Sequence, residues 1–176
     1  THALLQHLPE VDAKRWAEIA TSFVEKRGAA LGTKIRANIV SETLAVLRDP
    51  RFHAIFGPGS VAEAPLAAVI PRPSGAGPAL DLSGQIDRIA ITDDEVLIVD
   101  YKTNRPPPAE VHQVAGAYLY QLAAYRLALS EIYPDKLVRA ALLWTDGPRL
   151  MEVPADVLDA FTIRLWSLDL GSLDAV

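Results

Sequence analysis

Ser83-Gly84-Gln85-Ile86-Asp87-Arg88-Ile89-Ala90-Ile91-Thr92-Asp93-Asp94-Glu95-Val96-Leu97-Ile98-Val99-Asp100-Tyr101-Lys102 is the stretch whose reading decides the fold. Residues 95–102 are short, apolar and β-branched, which suits a buried central strand. Residues 79–92 alternate partially, and Asp93-Asp94 reads as the turn between them. A hairpin turning at Asp93-Asp94 sets Asp87 beside Asp100 on neighbouring strands. Asp100 and Lys102 are two residues apart, so on a strand they share one face.

Two carboxylates about 4 Å apart repel by roughly 4 kcal/mol at an effective dielectric near 20. Such a pair needs a cation, a shared proton or a lysine beside it. Oxygen ligands with free positions suit Mg²⁺ or Mn²⁺. A cation of that kind polarises a phosphodiester oxygen and acidifies water, and Lys102 is placed to orient that water or steady developing charge. The spacing alone also fits an ordinary ion pair at a strand end.

Outward from this hairpin, residues 2–8 read as a short helix closed by Pro9. Residues 11–27 carry Trp16, Ile19, Ala20 and Phe23 at helical spacing, with Gly28 as the stop. Residues 33–48 read as a further helix with Ile35, Ile39, Leu44 and Leu47 inward. A short turn or helix follows at 51–56. Residues 60–71 are strand-like and complete a three-strand meander, while 72–78 are a Pro- and Gly-rich loop. Beyond the lysine, 104–108 form a rigid loop and 111–132 a long helix. A strand at 137–144, a turn and a returning strand at 149–153 lead to a helix from Pro154 to about 168. The expectation is an α/β fold with a mixed central sheet flanked by helices. It forms one domain over 1–176: a helical part at about 1–56, a core at about 60–153 and a closing helix at about 154–168.

Half the residues are hydrophobic and 22% are charged, as in a globular domain of 176 residues with a single core. The net charge of −5 argues against tight autonomous binding of nucleic acid, where basic residues supply most of the affinity. The chain has no cysteine, which excludes disulfides, cysteine zinc sites and an iron–sulfur cluster. The lack of cysteine makes a cytoplasmic location the expectation, and no apolar run is long enough to span a membrane. The start at Thr1 suggests a piece of a longer protein. Gly28-Ala29-Ala30-Leu31-Gly32-Thr33-Lys34 has the wrong order for a phosphate loop, so no ATPase is expected of this part.

Gly84-x-Ile86-Asp87-Arg88, then Asp100-Tyr101-Lys102-Thr103-Asn104, then Gln121-x-x-x-Tyr125, resemble the signature of the RecB-type nucleases. These are a branch of the PD-(D/E)XK, or restriction-endonuclease-like, superfamily. The resemblance is clearest over 83–125 and looks most like the C-terminal nuclease domain of AddA-like helicase–nuclease subunits. It implies Asp87, Asp100 and Lys102 as the catalytic group. It further implies a metal, Mg²⁺ with Mn²⁺ as a substitute, held by His2, Asp87, Asp100 and the carbonyl of Tyr101. Thr1-His2-Ala3-Leu4-Leu5 resembles the family's first motif, and His7 lies beyond it. Gln121 and Tyr125 share a helix face and by resemblance contact the DNA or the lysine strand. Glu63 falls where the family often has a glutamate, either approaching the site or pairing with a base such as Arg88. Thr103, Asn104 and Arg105 either touch phosphate or stabilise their loop; His53 and His112 read as surface or loop residues. Related branches carry four cysteines for an iron–sulfur cluster, and none is present here. The implied activity is Mg²⁺-dependent exonucleolytic hydrolysis of single-stranded DNA ends in double-strand-break repair. The implied partners are helicase domains of the same polypeptide and an AddB-type subunit, with no membrane. The alternative is a catalytically silent module on the same fold that binds DNA or a partner.

Overall fold

The central hairpin forms as its sequence dictates: β2 (Leu80–Ile91) runs antiparallel to β3 (Glu95–Lys102). Thr92 caps the turn, its backbone N–H donating to the Glu95 carbonyl at 2.9 Å. The structure is a computed structural model and describes residues 1–75 and 77–167. On one side of the hairpin lies β1 (Ser60–Ile70), antiparallel to β2. On the other lies β4 (Leu137–Trp144), parallel to β3, followed by antiparallel β5 (Arg149–Val153). The sheet order is β1-β2-β3-β4-β5, a mixed five-stranded sheet. The parallel step requires a crossover, supplied by α5 (Gly116–Ile132).

Both faces of the sheet are covered. Val96 and Ile98 of β3 join Leu122, Ala123 and Ala128 of α5, and Leu158 and Leu165 of α6 (Ala155–Leu165), in one core. Val99 and Tyr101 face the opposite way, into a second core. That core is built by α1 (His2–His7), α2 (Trp16–Arg27), α3 (Thr33–Arg48) and α4 (His53–Phe56), through Leu4, Leu5, Val24, Leu47 and Ile55. Ile98 and Val99 are both completely buried, on opposite faces. Each contributes on the order of 1.5–3 kcal/mol from apolar burial. Among the described residues no helix is long and apolar enough to cross a membrane.

Three readings of the sequence need correction. The helix expected over 111–132 is interrupted. Glu110 and Gln113 close a separate 3₁₀ turn, Val111–Gln113, as a reciprocal cap, and Val114 and Ala115 are extended before α5 begins. Val114 is buried, so the break turns an apolar side chain into the core. The helix expected from residue 11 begins as an extended residue and a 3₁₀ turn, Ala13–Arg15, with Asp12 accepting from the Lys14 N–H. Ile35 is 52% exposed rather than inward. It lies one turn before Ile39 on the same helix face, and the core under that face begins only at Ile39. The part of the closing helix expected at residue 168 lies outside the described residues.

The alternation of β2 has one irregularity. Ile86 and Ile89 are three apart yet both enter the α5–α6 core. Arg88, between them, reaches the Leu5 carbonyl in the opposite layer. The strict period of two therefore slips near Asp87. The slip has a counterpart in β1, where Ala62 pairs with Arg88 and Ala64 with Ile86, and Glu63 stands opposite Asp87 without a ladder pair. Glu63 has φ of 51°, in the left-handed region that costs a non-glycine residue about 1–2 kcal/mol. Glycine would relieve that strain but lose about 0.5–1 kcal/mol of chain entropy in return. Glu63→Gly is therefore expected to raise unfolding stability by roughly 0.5–1 kcal/mol. Urea denaturation checks this, and a lowered midpoint would mean that the glutamate side chain itself stabilises the slip.

Candidate active site

The β2–β3 ladder pairs Ile91 with Val96 and runs to Arg88 with Val99. Asp87 and Asp100 are the next residue on each strand. Here the backbone ladder gives way to a side chain: the Tyr101 N–H donates to Asp87 Oδ2 at 2.7 Å. This bond fixes the orientation of the half-buried Asp87 carboxylate against the end of β3.

Asp100 is more enclosed, its side chain 8% exposed. Burial pushes its pKa up, and Lys102 opposes that rise. Lys102 Nζ lies 2.6 Å from Asp100 Oδ2. The ammonium is that oxygen's partner, and the close ion pair offsets part of the cost of burying the carboxylate. The ammonium also sits 3.7 Å from the centroid of the Tyr118 ring. A cation over an aromatic face is attracted by the ring quadrupole. Tyr118 in turn donates through its hydroxyl to Asn104 Oδ1 at 3.1 Å, tying α5 to the loop after the lysine. Tyr118 escaped the sequence reading. The available signal was its place three residues before Gln121, on the helix face that Gln121 and Tyr125 share.

His2 opens α1, and the helix delivers it to the end of the hairpin. Its Nε2 lies 3.0 Å from the Tyr101 carbonyl oxygen and 3.4 Å from Asp87 Oδ2. The hydrogen bond with Asp87 raises the His2 pKa above the ordinary imidazole range, with burial acting against it. Among the described residues no three His, Asp or Glu side chains form a ready-made metal cluster. The convergence here is instead of two side chains and a backbone carbonyl, with the buried Asp100 carboxylate on the adjoining strand. Donors at right angles around a small divalent cation, each about 2.1 Å from it, lie roughly 3 Å apart. The two spacings from His2 are of that size, and the mixture of oxygens with one imidazole suits such a cation.

Gln121 and Tyr125 are brought together on α5. Gln121 Nε2 lies 3.4 Å from the Tyr125 hydroxyl, which donates to the Gln85 carbonyl at 3.3 Å. They thus reach β2 two residues before Asp87. Glu63 stands on β1 opposite Asp87, and among the described residues no ion pair joins it to Arg88, whose hydrogen bonds go elsewhere. Asn104 and Arg105 hold their loop, Asn104 through Tyr118 and Arg105 through an ion pair with Glu42 of α3. Thr103 is exposed. His7, His53 and His112 are exposed as well, and His112 pairs with Glu110.

The family described as the PD-(D/E)XK nuclease superfamily matches residues 1–166. The chain belongs to that superfamily, and its members' coarse activity is that of nucleases. No curated protein matches the chain. A solved structure titled "Crystal structure of SSO0001" is similar over 93% of this chain and 74% of that one. Its identity is 14% and its TM-score 0.35, too low for any argument to rest on it.

Gly84 is the point where α5 closes on β2. A Cβ there would lie 2.5 Å from the Tyr125 hydroxyl oxygen and 2.9 Å from a ring carbon. Tyr125 is buried and cannot swing freely. Gly84→Ala is expected to cost about 1–3 kcal/mol of stability. Adding Tyr125→Phe, which removes the atom in closest conflict, should recover part of the loss in urea unfolding. No recovery would show that the ring, not the hydroxyl, sets the fit.

Proposed function

We propose that this domain hydrolyses phosphodiester bonds of single-stranded DNA ends, with Asp87, Asp100 and Lys102 as its catalytic group and Mg²⁺ as its cofactor. The observation that carries the reading is the ion pair of Lys102 with the buried Asp100 carboxylate one strand from Asp87, in a member of a nuclease superfamily. His2, Asp87, Asp100 and the Tyr101 carbonyl are the residues that would hold the cation. When bound, a divalent ion supplies Lewis-acid polarisation of a phosphodiester oxygen and makes water easier to deprotonate. The chain's own groups do the rest. Lys102 is held by Asp100 and Tyr118 at the mouth of the acidic pair, where its ammonium donates to the phosphate oxygen as charge develops. Asp87, its carboxylate fixed by the Tyr101 N–H, stands beside Asp100 on the neighbouring strand. Gln121 and Tyr125 form the helix-side wall and contact the strand being cut.

The finer assignment rests on the motif order. The runs at 84–88, 100–104 and 121–125 are similar to those of AddA-like helicase–nuclease subunits, and the absence of cysteine sets aside the iron–sulfur branches. In this reading the domain is an exonuclease acting in double-strand-break repair. Helicase domains of the same polypeptide feed it single strands, with an AddB-type subunit as partner in the cytoplasm. A net charge of −5 agrees with a motor that supplies most of the DNA affinity.

Cleavage of labelled single-stranded DNA should require Mg²⁺ or Mn²⁺ and stop with EDTA. Asp100→Ala and Lys102→Ala should each lower the rate at least about 100-fold. Calorimetry should show a Mn²⁺ site that disappears in Asp87→Ala. Metal-independent cutting, or full activity in both variants, would sink the mechanism; no Mn²⁺ site at all would make this a silent module.

A further inference from the structure

Arg88 is the second polar residue of the Asp87-Arg88 pair and is only 3% exposed. Among the described residues no carboxylate lies within ion-pair distance of it. Its hydrogen bonds all go to neutral oxygens: Nε to the Tyr101 hydroxyl at 2.7 Å, one terminal nitrogen to Ser60 Oγ at 2.7 Å, the other to the Leu5 carbonyl at 2.9 Å. The Phe56 ring covers the guanidinium, 4.8 Å from Cζ to centroid. A buried cation without a counter-ion is expensive, and an apolar residue of the same size would cost less. The fold keeps the cation because of where its bonds land, on α1, β1 and β3 at once.

The bond to Leu5 has a cause in the sequence. In an α-helix the Leu5 carbonyl would accept from the N–H four residues on, at position 9. Position 9 is proline and has no N–H. The orphaned carbonyl is buried with Leu5, which has no exposed surface, and Arg88 satisfies it. A six-residue helix such as α1 has little stability of its own. Its depth against the sheet is therefore set by what grips it, and His2 lies one turn before the gripped residue.

We propose that Arg88 is the positioning residue for His2. It seats α1 so that the imidazole meets Asp87 and the Tyr101 carbonyl. The proposal rests on the reading of His2 as a ligand of the divalent cation. It assigns Arg88 no contact with the substrate or the cation.

A double-mutant cycle on Mn²⁺ affinity tests it, by calorimetry on the full chain as wild type, His2→Ala, Arg88→Met and the two combined. Each single variant should weaken Mn²⁺ binding by about 10-fold or more. The double variant should bind no more than about twofold more weakly than His2→Ala alone, because an Arg88 that acts through His2 has nothing left to position. Arg88→Lys, which keeps the charge and one donor, should fall between wild type and Arg88→Met, and it carries the same cycle if Arg88→Met does not fold. Losses that multiply in the double variant, or wild-type affinity in the Arg88 variants, overturn the proposal while leaving His2 as a ligand. Unchanged affinity in His2→Ala overturns the ligand reading and the proposal with it.

Discussion

Where the β2–β3 ladder stops, the Tyr101 N–H donates to the side chain of Asp87 instead of to a backbone carbonyl. That one exchange sets the conditions for everything around it. It fixes a carboxylate beside the sheet and leaves the Tyr101 carbonyl free to face His2. It also coincides with the slip in side-chain alternation, which sends Arg88 into one layer while Ile86 and Ile89 fill the other. A regular hairpin would pair these groups and bury or expose them by strict turns of two. The irregular one gathers them at the seam between two cores.

The energetics run against the site at each step. Asp100 is buried with its pKa pushed up, Arg88 is a buried cation without an anion, and Glu63 holds a left-handed backbone. None of these is the choice that stability alone would make. They are tolerated because the surrounding layers are well filled: Leu5, Ile98, Val99, Leu122 and Leu142 leave essentially no accessible surface. Apolar burial on both faces of the sheet offsets the strain concentrated at its centre.

Much of this is written legibly in the chain. The β-branched run at 95–102 and the acidic turn before it yield the central hairpin, and the two-residue step places Asp100 and Lys102 on one face. Thr33–Arg48 is a single helix, as its spacing implies. Other features depend on partners that a linear pattern does not display. Ile35 has the spacing of a core residue but lies past the edge of the core. The break before α5 arises from one side chain capping another across a single turn, between Glu110 and Gln113. The Tyr118–Lys102 contact joins helix to strand across the crossover, so neither local periodicity contains it. Arg88 is least legible, because its acceptors are a backbone carbonyl and two neutral hydroxyls, and oppositely charged neighbours are the usual clue to a buried arginine.

His2 and Tyr101 meet although 99 positions separate them along the chain. Contacts of that span carry a larger loop-closure cost than the local pairing of the hairpin. The hairpin can assemble from local sequence, but its acidic end stays incomplete until the helical layer has closed over the sheet. Partly folded chains would then carry the carboxylates without the imidazole. Under the proposed function, competence to cut DNA would coincide with completion of the fold, so that newly made or damaged molecules pose little hazard to the genome.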